Sequence, residues 1–374
     1  MGAVDRQIKE AAARIFDELS LSLQGGHMNP RIRVGLTLAG SEHGEEELRR
    51  GARLAQADDL EVVLLEEADL LQAHQRMEAM LDNGALDAAV TMHYNFPVGV
   101  ATIGRAVTPG FGRSMYIAST TGTSDTQRGS AMVKNAVSAI AVAKACGCPI
   151  PTLGILNLDG SRQAERALRA LKQAGYPIAF TQSDRAGGGV IMRGNDLLRG
   201  VPDIMLMDSL TGNVMMKTLS AYTTGGDYES VGDGYGPGVG MGYGRIISIV
   251  SRASGAPVVA GALRYTCRCA KGGLTAKVRD EFSKARAAGL DQILEDLARP
   301  ADEGRAAQAS KPDEKAVDEE ITGVEILELD EAVRAVWKKG IYAAGGMGCT
   351  GPVVMVAKED AEAAHAALRE AGYL

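Results

Sequence analysis

Ile204-Met-Leu-Met207-Asp208-Ser-Leu-Thr-Gly-Asn-Val-Met-Met-Lys217-Thr-Leu219 decides the fold. Four apolar residues without alternation describe a short strand covered on both faces. Asp208 closes it, a turn follows, and a helix is expected from Gly212 to Tyr222. The same strand–turn–helix unit recurs upstream. Strands are predicted over 31–36, 61–65, 87–91, 115–119 and 151–156, and helices over 45–56, 68–82, 129–146 and 161–174. Apolar strands alternating with helices require a parallel sheet with helices on both faces, an α/β fold.

The pattern breaks at 299–320, where proline, alanine and charges leave almost nothing to bury. This stretch is expected to be a flexible, solvated linker. Order resumes at 324–327, followed by a helix over 330–338, a glycine loop, a strand over 353–356 and a helix over 359–371. The expected organisation is a body (1–298), a linker (299–320) and a C-terminal α/β module (321–374). A unit of that size is too small to be comfortably stable alone, so it is expected to dock on the body, at least transiently.

With 374 residues, 45% of them hydrophobic, the chain has the means to bury a sizeable core. A net charge of −7 without a long basic run argues against nucleic acid and anionic membrane surfaces as partners. The start carries Ile8, Ile15, Phe16 and Leu19 on one face, without the apolar region of a signal peptide, and no run approaches membrane-spanning length. The five cysteines, Cys146, Cys148, Cys267, Cys269 and Cys349, are expected to be reduced thiols in a cytoplasm. The two Cys-x-Cys pairs lack the spacing and the histidines of structural zinc, so neither a metal nor a cofactor is expected.

Ligands of α/β sheets sit at the carboxyl ends of strands. Two polar loops stand there. The first, 119–130, offers Thr120, Thr121, Thr123, Ser124 and Arg128, a set suited to phosphate. Its plain alternative is a capped loop. The second holds Asp208, Thr211, Asn213 and Lys217, with Lys217 about one turn into the expected helix and Asp208 equally readable as a helix cap. The glycine run 231–244 reads as a loop or lid and lacks dinucleotide-binding spacing. Cys349 stands in Gly345-Gly-Met-Gly-Cys349-Thr-Gly-Pro352. Backbone amides approach a thiol closely in such a loop, favour its thiolate and are able to hold a developing oxyanion, with Gly346, Gly348 and Thr350 as donors. The plain alternative is a small residue beside a tight turn.

The segment Asp208-x-x-Thr211-Gly212-Asn213-Val214-x-x-Lys217-Thr218 resembles a motif of the phosphate acyltransferases of phospholipid synthesis, as does the strand Pro151-Thr-Leu-Gly-Ile-Leu-Asn157. Ser209-Leu210 stands where that family has Gly-Phe. The resemblance spans roughly 30–290 and implies the fold shared with phosphotransacetylase and the isocitrate/isopropylmalate dehydrogenases, a body of two subdomains. With the tail around Cys349 added, the whole chain is similar to the component C alpha subunits of glycine/sarcosine/betaine reductases. That likeness implies an acetyl thioester on Cys349, cleaved by phosphate to acetyl phosphate. It implies a selenoprotein donor (component A), a component C beta subunit and an oligomeric assembly. Two other readings stay open: a phosphate acyltransferase without covalent catalysis, and a noncatalytic subunit that binds an acyl phosphate.

Overall fold

A computed structural model of the chain describes residues 31–185, 188–298, 310–324, 326–348 and 351–374. The amphipathic start, half of the expected linker (299–309), and Cys349 with Thr350 lie outside the described residues.

The body begins with β1 (Ile32–Thr37), α1 (Glu45–Ala55), β2 (Leu60–Leu65), α2 (Leu70–Asp82) and β3 (Ala88–Met92). An antiparallel pair follows, β4 (Val100–Val107) and β5 (Ser114–Thr123), then α3 (Arg128–Ala145), β6 (Thr152–Leu156) and α4 (Ser161–Gln173). Short strands β7 (Ala179–Phe180) and β8 (Ile191–Met192) and the helix α5 (Gly194–Arg199) lead to β9 (Ile204–Leu206) and α6 (Ser209–Ala221). After β10 (Gly236–Val239) and β11 (Ile247–Val250) come α7 (Ala256–Lys271), α8 (Leu274–Ala287) and α9 (Leu290–Ala298). The C-terminal unit comprises β12 (Glu319–Thr322), α10 (Leu329–Trp337), β13 (Ala343–Gly348), β14 (Gly351–Val356) and α11 (Ala361–Glu370).

One mostly parallel sheet runs β2-β1-β3-β11-β10-β4-β5-β9-β6-β7, with β8 beside β6. The pairs β1/β2, β1/β3 and β3/β11 are parallel, as are β5/β9, β9/β6 and β6/β7. The pairs β11/β10, β10/β4 and β4/β5 are antiparallel. Three reversals leave the two parallel halves pointing in opposite senses. The carboxyl ends of β5, β9 and β6 therefore share one edge of the sheet, and loops 124–127, 157–160 and 207–208 lie along it; the expected loop 119–130 is strand as far as Thr123 and helix from Arg128. All five residues of β3 and all three of β9 are buried, as strands covered on both faces must be. The small-residue helix α3 is buried along most of its length and lies between β5, α4 and α8. The C-terminal unit forms its own three-stranded sheet, β12-β14-β13, over a separate apolar cluster that includes Ile321, Val333, Val336, Val354 and Leu368.

Several expectations need correction. Helix α6 starts at Ser209 rather than Gly212, because the Asp208 carboxylate accepts the Thr211 amide at 3.0 Å and caps the first turn. Lys217 consequently sits in the third turn. The glycine run 231–244 contains the buried strand β10. Gly236 stands there at φ 82°, where a Cβ would lie 1.8 Å from the Ile103 carbonyl oxygen. The Gly345–Gly348 stretch belongs to a strand, β13, not a loop. Glycines carry no side-chain alternation, so only pairing reveals such strands. The end of the expected linker is also built in. Glu319 and Glu320 pair with β14, the Asp318 amide donates to Val356 O at 3.1 Å, and Lys315 holds Glu359 and Asp360.

Candidate functional site

At the shared strand edge, Arg128 in the first turn of α3 reaches Asp208 after β9, Nη2 to Oδ2 at 3.0 Å. Thr211 Oγ1 donates to the same carboxylate at 2.8 Å. Burial works against the charge on Asp208, but the Thr211 amide and hydroxyl and the Arg128 guanidinium outweigh it and hold the carboxyl below the ordinary carboxylate range. Gly212 makes this closeness possible. A Cβ there would stand 1.8 Å from the Ser119 carbonyl oxygen, so only glycine lets the first turn of α6 lie against β5.

The remaining expected residues are placed differently. The Thr120 hydroxyl is fully buried, 2.6 Å from Thr102 Oγ1, and donates to Tyr235 O at 2.7 Å. Thr121 shares Thr102, at 3.0 Å. The Thr123 hydroxyl donates to Asp125 O, and Ser124, buried, bonds Asn135 at 2.7 Å. Asn213 is exposed. Lys217 stands 3.4 Å from Glu229, a fully buried carboxylate that also accepts from Ser254 Oγ at 2.6 Å and Tyr235 OH at 3.1 Å. The structure thus joins Arg128, Asp208 and Thr211 into one bonded set and turns the hydroxyls of Thr120, Thr123 and Ser124 toward the protein.

Beyond them, at the end of β6, lies a cavity of about 360 Å³ between the body and the C-terminal unit. Asn157, Asp159 and Arg162 line it from the β6–α4 connection, and Arg185 and Arg193 from the segment around β8. Thr322, Val324 and Gly351 close it from the C-terminal unit. Asp196 holds its rim together. This carboxylate, 1% exposed, accepts from Ser183 Oγ at 2.8 Å and from the amides of Asp184 and Arg193 at 3.0 and 2.7 Å. Burial opposes its charge, and those bonds more than offset the burial, so its carboxyl lies below the usual range. The sequence reading missed Arg185 and Arg193. The available signal was an arginine close to the run Gly187-Gly-Gly189.

Gly351 also belongs to the β13–β14 pair, in which Gly346 faces Val353 and Gly348 faces Gly351. Strand β13 is an edge strand of its sheet. Gly346 and Gly348, two residues apart, direct their amides to the same side of it, toward β14, because the Val356 carbonyl faces β12 and Val353 and Gly351 therefore face β13. Cys349 and Thr350, which separate Gly348 from Gly351 in sequence, lie outside the described residues.

The four described cysteines are free thiols. Cys146 and Cys269 approach to 3.6 Å between sulfurs, and the bond from Cys269 draws the Cys146 thiol down to about 7. Among the described residues no cluster of three or more His, Cys, Asp or Glu is arranged for a metal, and no helix is long and apolar enough to cross a membrane.

The fold is that of an α/β protein with polar loops at the strand ends of its body and a small, separate C-terminal α/β unit. The chain belongs to the family described as fatty acid synthesis protein, whose model matches residues 32–355, and is 48% identical over 379 residues to the glycine/sarcosine/betaine reductase complex component C subunit alpha of Peptoclostridium acidaminophilum, covering 98% of each chain. A solved isocitrate dehydrogenase from Methylococcus capsulatus aligns with 72% of this chain and 100% of its own, at 10% identity and a TM-score of 0.38, a likeness too distant to carry an argument.

Proposed function

We propose that the chain is the acetyl-transferring subunit of a glycine/sarcosine/betaine reductase complex, with Cys349 as the acyl carrier. The acetyl group derives from the carboxymethyl group on the selenoprotein component A, with a thiol of that protein supplying the two electrons as it joins the selenium in a Se–S bond and the carboxylate oxygen leaving as water, and a beta subunit completes component C. A phosphate oxygen then attacks the thioester carbonyl. The C–S bond breaks, acetyl phosphate leaves and the thiolate is restored. The backbone amide of Thr350 is the proposed donor to the tetrahedral oxyanion, since those of Gly346 and Gly348 are turned to β14.

One observation carries this reading: Gly351, two residues from Cys349 in sequence, lines a polar cavity where the C-terminal unit meets the strand edge of the body. The name of the 48% identical relative supports it. A second reading, phosphate acyl transfer without a covalent intermediate, draws on the Arg128–Asp208–Thr211 set at the same edge, with Asn213 and Lys217 as further contacts. Isotope-labelled acetyl phosphate separates the two. The first requires hydroxylamine-labile label on the Cys349 peptide and its loss in Cys349→Ser. Label-free protein that still exchanges phosphate into acetyl phosphate supports the second instead.

A further inference from the structure

We propose that the cavity between the end of β6 and the C-terminal unit is an anion site for the phosphate group of inorganic phosphate and short acyl phosphates. This rests on the reading of the chain as an acetyl-phosphate-forming subunit, and it moves the phosphate away from the loops expected to bind it.

The argument is one of charge and space. Where β5 leads into α3 and β9 into α6, each cation already faces an acid: Arg128 bonds Asp208, and Lys217 stands against Glu229. A dianion entering there must compete with a carboxylate at both positions. Among the described residues, the cavity wall includes three arginines, Arg162, Arg185 and Arg193, and one acid, Asp159. Arg162 has Glu165 at 3.1 Å, outside the wall, while neither Arg185 nor Arg193 has an acidic side-chain partner within ion-pair distance among the described residues. In a chain of net charge −7, two such arginines at one concave surface concentrate positive potential where an anion is able to use it. Guanidinium forks match phosphate oxygens two at a time, and Asn157 adds a neutral polar group.

The volume, about 360 Å³, suits a small ligand and its water. Leu158, Ile191, Val324, Ile326 and Pro352 belong to the apolar part of the wall, which accommodates a short acyl methyl group and offers nothing to a second charge. The Asp196 bonds to Ser183 and Arg193 fix the rim before any ligand arrives, so little ordering opposes binding.

The test measures inorganic phosphate binding to the full chain by titration calorimetry, beside labelling of Cys349 by acetyl phosphate. Arg193→Gln and Arg185→Gln are each expected to weaken phosphate binding about tenfold or more, as loss of a charge-assisted hydrogen bond does. Their melting midpoints and circular dichroism report folding. Arg185 is exposed, so its variant decides the matter if Arg193→Gln does not fold. Unchanged affinity in Arg185→Gln, or a loss of binding seen only in Arg128→Gln, overturns the cavity site. The two proposals fail separately. Cavity-dependent phosphate binding without label on Cys349 keeps the site and removes the thioester, whereas label on Cys349 with undiminished phosphate binding in both arginine variants does the reverse.

Discussion

Arg166 of α4 donates from Nη1 to the carbonyl oxygen of Gly372 at 2.6 Å, joining the body to the last turn of the chain. Its Nη2 bonds Glu328 of the C-terminal unit. One guanidinium therefore spans two separate pieces of that unit, beside the cavity wall. Arg166 is 40% exposed, so the ion pair itself adds at most about 1 kcal/mol, and reversing its charge has a larger effect than deleting it. Arg166→Glu is expected to release the unit while leaving its fold intact. Small-angle scattering would report a larger radius of gyration, with the emission of Trp337, the single tryptophan, unchanged. An unchanged radius means that other contacts hold the unit in place.

Glu281 is 1% exposed and collects Lys144 at 2.9 Å, Tyr176 OH at 3.0 Å and Lys284 at 3.2 Å. Burial opposes its charge, yet Lys144, the Tyr176 hydroxyl and Lys284 hold the carboxyl below its usual value. A depressed folded value contributes stability above the ordinary carboxylate value, and that contribution is lost as pH falls through the folded one. Glu281→Gln is expected to cost about 3 kcal/mol at neutral pH, because Lys144 is left partly buried without its counter-charge. Urea denaturation at pH 7 and pH 3 checks this: the gap between wild type and variant must narrow in acid.

Gly212 is a second stability test. Gly212→Ala forces a methyl group into the Ser119 carbonyl oxygen, a backbone atom unable to swing aside. A loss of about 3 kcal/mol or more is expected, against the small gain that Gly→Ala brings in an unobstructed helix. A thermal midpoint equal to wild type would remove the close approach of α6 to β5 from the account.

Cys146 owes its lowered value first to the hydrogen bond from Cys269. Cys269→Ala is expected to raise it from about 7 toward that of an ordinary thiol. Iodoacetamide alkylation of Cys146, followed peptide by peptide between pH 6 and pH 9, should move its midpoint upward in the variant. An unmoved midpoint assigns the shift to another group.

The parallel strands β1, β2, β3, β6 and β9 were legible because strands buried on both faces write continuous apolar runs, and the helices between them write their own period. The capping role of Asp208 was legible as one of two readings, since an acid after a strand serves equally as cap or ligand. Strands β4 and β11 and helices α7 to α9 were not drawn from the sequence, and β10 and β13 were hidden in glycine runs. Glycine contributes no periodicity, and a strand made of it is defined by what lies beside it.

The sequence by itself determined an α/β chain of two composition-separated parts and drew attention to a glycine-flanked Cys349. Local pattern suffices for such features because apolar period and glycine content act within a few residues. Only the tertiary structure decided which cations face acids and which face open space. Arg128 meets Asp208 across 80 positions, whereas Arg185 and Arg193 meet the C-terminal residues Thr322 and Gly351 around a cavity. Electrostatics depends on distance in space, and sheet order, not chain order, sets those distances.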